Sequence, residues 1–327
     1  MHRTLAARHD RFPLSRPFRI SRGVKTAADV VTVTLGLGDL EGRGEGVPYP
    51  RYGESVESVL AQVEAMRGGI ADGMTRVELL AAMPAGAARN ALDCALWNLE
   101  AQLAGSGVAA LLGAPEPGRI ATALTVVIDT PEAMARTAAT LRAAPLIKIK
   151  VDSDAPAAAI RAVRRAAPAA ALIVDPNESW NEALVRTVMP VLEDCRVDVL
   201  EQPVPAGDDA WLEGYDSPVP ICADEAIHTV AELDTVAARY DAVNVKLDKS
   251  GGLTAGLQLA RAVRERGMKL MSGCMVCSSL GIAPALHVAR LADWADLDGP
   301  LWLAQDRSGG VAAEGGWLLP PSEGLWG

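Results

Sequence analysis

The chain has few aromatic residues and few basic ones. Its 327 residues include two Phe and four Tyr, which suits closely packed, Ala-rich helices better than an aromatic binding platform. Lys and Arg number 31 against 41 Asp and Glu, giving a net charge of −10 and a pI near 5.0. This acidic balance disfavours binding to nucleic acid or to an anionic membrane.

Long hydrophobic runs are missing as well. The longest apolar stretches, such as residues 169–174, are far shorter than the roughly 20 residues of a membrane-spanning helix. The first residues, MHRTLAARHDRFPL, lack the sustained apolar segment of a signal peptide. We therefore expect a cytoplasmic protein with a large buried core, and the sequence leaves the formation of homo-oligomers open.

Cysteine is scarce, and its count is odd. The five cysteines are scattered along the chain, which predicts reduced thiols rather than a disulfide framework: Cys94, Cys195, Cys222, Cys274 and Cys277. Cys274 and Cys277 form a single C-x-x-C. No second Cys or His pair accompanies them in the sequence, which disfavours a zinc or redox role.

The first third of the chain has a different pattern from the rest. Residues 30–37 (VVTVTLGL) alternate as a strand does, and residues 54–68 and 87–104 have helical periodicity. Strands followed by helices predict an N-terminal α+β capping domain over residues 1–115, ending at the Gly/Pro-rich segment GAPEPGR. The tail, residues 306–327, is expected to pack back on this domain.

Strand-like and helix-like segments then alternate. Eight strands are predicted, near residues 120–128, 146–151, 171–175, 197–201, 219–224, 241–246, 268–272 and 293–297. Helix starts between them carry capping or proline signals, such as Thr130 before Pro131. The pattern predicts an α/β fold, a (β/α)8-type TIM barrel over residues 116–305 whose last helix is reduced.

A charged residue ends five successive predicted strands. These residues recur every 22 to 26 positions, the length of one strand-and-helix unit: Lys150, Asp175, Glu201, Asp224 and Lys246. The C-terminal ends of parallel barrel strands form the active-site face, so all five are expected at one mouth. Strands two and six of eight lie half a circumference apart, which places Lys150 opposite Lys246.

Three of these residues, Asp175, Glu201 and Asp224, are carboxylates that cannot all stay ionised together without a cation. A set of oxygen ligands without His or Cys favours one hard ion per subunit, Mg²⁺ before Mn²⁺ or Ca²⁺. The alternative is that the acids only cap strand ends or pair with surface Arg. Because all three acids occupy the same position, the C-terminal end of a predicted strand, we favour the metal site over this alternative.

The lysines indicate proton transfer. Lys148 and Lys150 lie on the same side of their strand, because side chains alternate. A neighbouring ammonium and a divalent cation would both lower a lysine pKa from about 10.4. Lys150 and Lys246 on opposite faces of a carbon, beside an ion that stabilises an enolate, would catalyse racemisation or epimerisation. The alternative interpretation is that the lysines only neutralise the charge of the acids.

Another acidic pair, Asp296 and Asp298, ends the eighth predicted strand, across the mouth from Glu201. Two carboxylates there suit a substrate ammonium group, although D-x-D before Gly-Pro is also common in turns. A substrate with its carboxylate on the ion, its α-carbon between the lysines and its amine on this pair has the shape of a dipeptide.

With these motifs the chain resembles the enolase superfamily. Within that superfamily it resembles the muconate-lactonising subgroup, and within the subgroup the dipeptide epimerases. The likeness covers nearly the full length and is carried by these segments: ISRG, PYPRYGES, ALDCALWNLEAQLAG, KIK, VDPNESW, EQP, ADE, NVKLDKSGG, SGCM and DLDGP. The resemblance implies the following site: metal ligands Asp175, Glu201 and Asp224; acid and base Lys150 and Lys246, with Lys148 and Asn177 beside them; and Asp296 and Asp298 on the substrate ammonium.

The family's N-terminal loops close the barrel and select the side chain. Arg22 and Tyr52 lie in those loops here, and an Arg in the first loop suits an acidic side chain. The resemblance therefore implies an isomerase that epimerises L-Ala-D/L-Glu. One departure is Cys277, since similar epimerases often have Glu at this position, and this bears on the side-chain preference.

Three other functions stay open. N-acylamino-acid racemisation, o-succinylbenzoate synthesis and muconate cycloisomerisation belong to the same subgroup, but their substrates bring no free ammonium for the acidic pair. A Schiff-base aldolase that uses Lys150 or Lys246 would leave the three acids unexplained. A non-catalytic, ligand-binding barrel is the third possibility.

Overall fold

The computed structural model describes residues 2–322 and 324–327. It begins with an antiparallel sheet of three strands in the order β1-β2-β3, followed by five helices. The elements of this N-terminal domain are β1 (Thr4–Ile20), β2 (Gly23–Leu37), β3 (Leu40–Gly46), α1 (Val56–Ala65), α2 (Arg67–Ala71), α3 (Arg76–Ala82), α4 (Ala87–Ala104) and α5 (Val108–Leu111).

Helix α4 has the bounds that its periodicity predicts, and it ends where Gly105 adopts the left-handed conformation with φ of 61°. Strand β1 has no counterpart in the sequence-based prediction. It is an edge strand with many exposed side chains, so it lacks the apolar alternation that identifies a half-buried strand.

Glycines allow β3 to pack directly against α4. Gly42, Gly44 and Gly46 occur at every second position of the strand and face the helix backbone. A Cβ atom added to Gly44 would lie 2.1 Å from the carbonyl oxygen of Ala91. The other two glycines meet the carbonyls of Ala95 and Ala87 in the same way, so strand and helix approach more closely than any side chain would permit.

The rest of the chain forms an eight-stranded parallel sheet that is nearly closed into a barrel, with the strands in chain order. A short strand, β4 (Ile120–Ala121), precedes it. The barrel strands are β5 (Leu124–Val126), β6 (Leu146–Lys150), β7 (Ala171–Asp175), β8 (Val199–Glu201), β9 (Ile221–Ala223), β10 (Ala242–Lys246), β11 (Lys269–Gly273) and β12 (Trp294–Asp296). The backbone hydrogen bond from Ala123 N, directly before β5, to Ala295 O of β12 is 2.8 Å long and bridges the gap between the first and last strands.

Helices cover the outside of this barrel. They are α6 (Pro131–Thr140), α7 (Pro156–Ala166), α8 (Glu182–Asp194), α9 (Leu233–Ala237), α10 (Leu247–Ser250), α11 (Leu253–Glu265) and α12 (Ser279–Ala289). Helix α6 starts as its signals predict, with Thr130 as N-cap and Pro131 in the first turn. After β12 the only helical element in the described residues is a 3₁₀ turn, Gly299–Trp302, which confirms the TIM-barrel prediction with its reduced last helix.

Two details differ from the sequence-based prediction. The predicted strand over residues 120–128 is divided, because β4 leaves the barrel and pairs with β14 (Trp317–Leu319), which in turn pairs with β13 (Ala312–Glu314). Between β8 and β9 the described residues form a 3₁₀ turn, Ala210–Leu212, and no α-helix. This connection carries several prolines, which cannot continue a helix.

The tail contacts the N-terminal domain at several points. The Arg307 side chain, Nη2, lies 2.8 Å from Glu45 Oε2, and Trp326 Nε1 donates to the Cys94 carbonyl at 3.0 Å. Trp326 also packs on His287 of α12, with ring centroids 5.9 Å apart.

Among residues 2–322 and 324–327, every helix is too short or too polar to span a bilayer.

We predict that Gly44→Ala destabilises the protein, because the new methyl group overlaps the Ala91 carbonyl. Overpacking of this kind costs about 1–3 kcal/mol. Urea denaturation of the pure protein measures the change. The control is Gly68→Ala in α2, where an added Cβ meets no atom within 4 Å, so stability should stay equal or rise by up to about 1 kcal/mol. Equal midpoints for the two variants would contradict the packing argument.

Candidate active site

A cavity lies at the C-terminal ends of the barrel strands, under the N-terminal domain. Its volume is about 60 Å³, below the roughly 300–1,000 Å³ of typical small-molecule sites, so the N-terminal segments cover it closely. The lining residues are Phe18, Ile20, Arg22, Lys25 and Tyr49 from the N-terminal domain, and Thr125, Lys148, Lys150, Asn177, Lys246, Cys274, Met275, Val276, Asp296, Asp298 and Gly299 from the barrel.

The two lysines predicted as acid and base, Lys150 and Lys246, both line this cavity. They end β6 and β10, the second and sixth strands of the barrel, so they enter from opposite sides. Lys150 Nζ lies 2.5 Å from Asp175 Oδ2, and Lys246 Nζ lies 2.6 Å from Asp224 Oδ2. The fold therefore brings together residues 96 positions apart in the sequence.

The pKa of Lys246 is set by burial and by the neighbouring charges, and the expected lowering concerns a site that holds a divalent cation. Burial alone would lower it, but the negative charges of Asp224 and Glu201 raise the pKa of Lys246 well above its usual value. A lysine in this state is an acid, and it becomes a base only when its carboxylate partner is engaged elsewhere.

Lys148 is the most heavily paired cation of the site. Its Nζ lies 2.9 Å from Asp175 Oδ2, 2.6 Å from Glu201 Oε2 and 2.7 Å from Asp296 Oδ2. The side chain is 1% exposed. Burial lowers the pKa of Lys148, but the three carboxylates outweigh burial and raise it well above its ordinary value.

The three predicted metal ligands, Asp175, Glu201 and Asp224, lie at the ends of the adjacent strands β7, β8 and β9 and are almost completely buried. Asn177 holds Asp175 through its backbone N at 2.8 Å and its Nδ2 at 3.1 Å. Lys249 Nζ lies 2.6 Å from Asp224 Oδ1. Positive charges lower the pKa of Asp224 well below its usual value, although burial acts in the other direction.

Glu201 is the carboxylate with the least compensation. Its Oε1 accepts from Asn244 Nδ2 at 2.8 Å. Its Oε2 is buried and lies 2.6 Å from the Lys148 ammonium, but it is not assigned a hydrogen bond within the described residues. Burial, and then the charge of Asp175, raise the pKa of Glu201.

These three carboxylates have the oxygen chemistry that Mg²⁺ prefers, and Glu201 Oε2, which accepts no assigned hydrogen bond within the described residues, could bind a cation. In the described part of the chain, however, no three His, Cys, Asp or Glu side chains are gathered as a ready-made metal site. The ammonium groups of Lys148, Lys150 and Lys246 lie against the carboxylates instead. A divalent cation would therefore compete with lysines for the same oxygens.

The strand-eight pair, Asp296 and Asp298, also lines the cavity, but neither carboxylate is free. Asp296 Oδ2 accepts from Lys148. Asp298 Oδ2 accepts from the Thr125 backbone N at 2.8 Å and from Trp302 Nε1 at 3.2 Å. Burial, together with the charge of Asp296, raises the pKa of Asp298 to about 6. An incoming ammonium group would favour its ionised form.

The two predicted loop residues have different surroundings. Arg22 lines the cavity, and its guanidinium binds Glu225 Oε1 at 2.7 Å and Glu178 Oε2 at 3.2 Å. Tyr52 is not among the lining residues. It packs beside Tyr49, with ring centroids 5.2 Å apart, so it contacts the cavity wall from behind.

Lys25 and Gln202 are among the residues of this site that the sequence-based prediction missed. Lys25 lines the cavity, but it lies in a segment where the sequence shows no motif. Gln202, fully buried, accepts from the backbone N of Asp224 at 2.8 Å through Oε1; its position directly after Glu201 in EQP was the available signal. Cys277 is buried, while Cys274 faces the cavity.

Two family models match the chain. Residues 132–323 match "Enolase C-terminal domain-like", and residues 2–113 match "Mandelate racemase / muconate lactonizing enzyme, N-terminal domain". The chain belongs to this enolase superfamily. The resemblance seen in the sequence motifs is thereby confirmed.

Characterised relatives are similar over nearly their whole length. The chain is 48% identical to the L-Ala-D/L-Glu epimerase of Escherichia coli K12, over 93% of this chain and 95% of that protein. It is 40% identical to the N-acetyl-D-glutamate racemase of a Pseudoalteromonas species, over 91% of this chain and 95% of that protein.

Solved structures show the same fold. An enolase family member from Agrobacterium tumefaciens, with bound sodium and L-Ala-L-Glu, has a TM-score of 0.97 at 46% identity, covering 99% of this chain and 100% of that one. The dipeptide epimerase of Enterococcus faecalis, complexed with Mg and L-Leu-L-Tyr, has a TM-score of 0.91 at 27% identity, covering 100% and 99%.

Proposed function

We propose that this protein is a Mg²⁺-dependent dipeptide epimerase that inverts the α-carbon of the C-terminal residue, with L-Ala-D/L-Glu as its substrate. The observation that carries the proposal is the pair Lys150 and Lys246. They enter one cavity from opposite sides of the barrel, and buried carboxylates on the strands between them are available to hold a cation. Five free cysteines fit our further proposal of a cytoplasmic enzyme.

In this proposal one lysine removes the α-proton and the other returns a proton to the opposite face. Asp175, Glu201 and Asp224 hold one Mg²⁺ per subunit, Mn²⁺ being an alternative. The ion would supply positive charge beside the substrate carboxylate. When Asp175 and Asp224 are engaged in this way, Lys150 and Lys246 lose their closest carboxylate partners, so their side chains are free to exchange protons with the α-carbon.

The remaining contacts orient the substrate. Asp296 and Asp298 accept the ammonium group of the dipeptide, and Lys148 keeps their charge balanced through its contact with Asp296. Arg22 and Tyr52 belong to the N-terminal segments that cover the cavity and favour an acidic side chain. The Escherichia coli relative, named for L-Ala-D/L-Glu, supports this choice of substrate.

A second candidate is racemisation of an N-acylated glutamate. The Pseudoalteromonas relative is named for N-acetyl-D-glutamate, and both Asp296 and Asp298 already accept hydrogen bonds from the protein. The two reactions share the lysines and the metal. They differ in whether the substrate brings a free ammonium group to the strand-eight pair.

We predict that Lys150→Met and Lys246→Met each abolish interconversion of L-Ala-L-Glu and L-Ala-D-Glu. Each variant should still exchange the α-proton of one isomer in D₂O, and the two variants should retain opposite isomers, because each lysine faces one side of the carbon. Mass spectrometry and NMR read the exchange. The control, Lys269→Met, removes an exposed lysine at the start of β11 and should match the wild type. Exchange of both isomers by either single variant would exclude the two-base mechanism.

We predict that removal of divalent ions by EDTA abolishes exchange and that added Mg²⁺ restores it. Glu201→Gln should weaken binding of Mn²⁺, measured by titration calorimetry and electron paramagnetic resonance, by at least roughly tenfold, because the variant loses one ligand charge. The exposed residue Glu193 of α8 provides the control, Glu193→Gln, with unchanged binding. Full activity in EDTA would instead favour a metal-free lysine mechanism.

We predict that Asp298→Asn lowers kcat/KM for L-Ala-L-Glu by about 10- to 100-fold, which is the effect expected when one charged hydrogen bond to the substrate is lost. Asn keeps an oxygen for the Thr125 backbone N, so the fold should be preserved. Turnover of N-acetyl-glutamate measures the alternative in parallel. If wild type prefers N-acetyl-glutamate and Asp298→Asn leaves the dipeptide rate unchanged, the second candidate replaces the first.

A further inference from the structure

Helix α4 of the N-terminal domain contacts the barrel just after Lys246. Across the part of the chain that the structure describes, the hydrogen bonds between α4 and the barrel all involve residues 248–254. This segment contains α10, whose N-cap is Lys246 itself, then Gly251 and Gly252, and the start of α11. The barrel mouth is therefore joined to α4 on the side of Lys246.

Arg89, in the first turn of α4, is a buried arginine whose hydrogen bonds in the described residues all go to backbone carbonyls. Its Nη2 donates to Ser250 O at 2.6 Å and its Nε to Gly251 O at 3.1 Å, at the C-terminal end of α10. Its Nη1 donates to Met83 O at 2.8 Å and to Leu80 O at 3.2 Å, at the end of α3. The last carbonyls of a helix have no partner within the helix, and this guanidinium satisfies them.

Asp93, one turn further along α4, binds the next helix. Its Oδ2 accepts from the backbone N of Thr254 at 2.9 Å, and its Oδ1 accepts from the Thr254 hydroxyl at 2.6 Å. The N-cap of α11 is Gly252, which offers no side chain, so an acid from the other domain takes the place of an N-cap side chain. Arg89 and Asp93 thus cap two successive helices, and only Gly251 and Gly252 lie between these helices.

The two glycines leave the space that these side chains fill. A Cβ atom added to Gly251 would lie 2.4 Å from Arg89 Nε, and one added to Gly252 would lie 2.5 Å from Asp93 Oδ2. Both glycines also have positive φ, 78° and 112°, which other residues rarely adopt. The S-G-G sequence that follows α10's charged residues is therefore shaped to receive α4.

Lys150, on the opposite side of the mouth, has no such attachment to α4 in the described residues. It ends β6, and the loop after it is held by a barrel residue, because Trp180 Nε1 donates to Asp152 O at 2.8 Å. The segment after Lys246 is thus fixed from the N-terminal domain, whereas the segment after Lys150 is fixed within the barrel.

We propose that Arg89 and Asp93 are positioning residues for Lys246. By fixing the segment that follows β10, they hold this lysine at the distance and angle that proton transfer requires. The inference rests on the proposed function, since it assigns residues outside the cavity a role in the same reaction. It predicts an asymmetry, because loss of these contacts should impair the transfer through Lys246 more than the transfer through Lys150.

The test measures each transfer by itself, in the Lys150→Met and Lys246→Met backgrounds, where α-proton exchange in D₂O depends on the remaining lysine. Arg89→Met should lower exchange through Lys246 by about 10- to 100-fold, the cost of a misplacement near ~1 Å, and exchange through Lys150 by less than about threefold. Lys249 Nζ of α10 also lies 2.6 Å from Asp224 Oδ1, but an indirect effect on the metal ligands would reduce both rates and cancel in their ratio. Arg89→Lys, which keeps the charge, should restore part of the ratio.

Arg76→Met is the matched control. Arg76 Nη2 lies 2.8 Å from Glu100 of α4, a contact within the N-terminal domain, so this variant should leave the ratio unchanged. Thr254→Val removes the hydroxyl that Asp93 accepts and should shift the ratio in the same direction as Arg89→Met, which provides a test if Arg89→Met does not fold. Equal losses through both lysines in the folded variants would overturn the inference.

Amide hydrogen exchange, measured by mass spectrometry, gives a second readout that needs no substrate. Arg89→Met should speed exchange over residues 247–254 and leave residues 146–152 unchanged, because only the first segment loses its contacts with α4. Absence of α-proton exchange in the wild type would contradict the proposed function. Unchanged amide exchange over residues 247–254 would instead contradict the positioning role of Arg89 and leave the proposed function intact.

Discussion

Charge balance in the barrel mouth constrains the rest of this structure. Asp175, Glu201 and Asp224 lie side by side in a nearly dry site, where removing charges from water costs several kcal/mol per ion after relaxation. Lysines from β6 and β10 offset that cost through direct contacts. In the proposed function, a divalent cation would replace these ammonium groups as the partner of the carboxylates.

The N-terminal domain completes the site, because the barrel by itself leaves the mouth open to water. Glycines in β3 let the sheet of this domain pack closely against its own helix α4. Two ion pairs, Arg22 with Glu225 and Arg51 with Glu178, join the domain to residues that follow the barrel strands. Water exclusion strengthens each charge interaction in the cavity. The same domain contributes Arg22 and Lys25 to the cavity wall, so it both closes the mouth and adds charge to the cavity.

Much of this arrangement could be predicted from sequence. The barrel follows from regular strand spacing, and a charge at the end of each strand must reach one mouth because the strands are parallel. Strand β1, the division of residues 120–128 and the missing helix after β8 could not be predicted, since polar edge strands and proline-rich connections carry no periodicity. Lys25 could not be predicted either, because a single lysine without a surrounding motif resembles any surface lysine.

The sequence by itself determined which charged groups stand at the strand ends, because chain order and strand direction leave them no other place. Only the tertiary structure decided which of them touch. Contacts between Lys148 and three acids, or between Arg22 and Glu225, join positions 27 to 203 residues apart. Side-chain packing selects such pairs, and local propensity carries no information about them. The same physics decides the direction of the Lys246 pKa, which depends on distance to Asp224 and Glu201 rather than on burial alone.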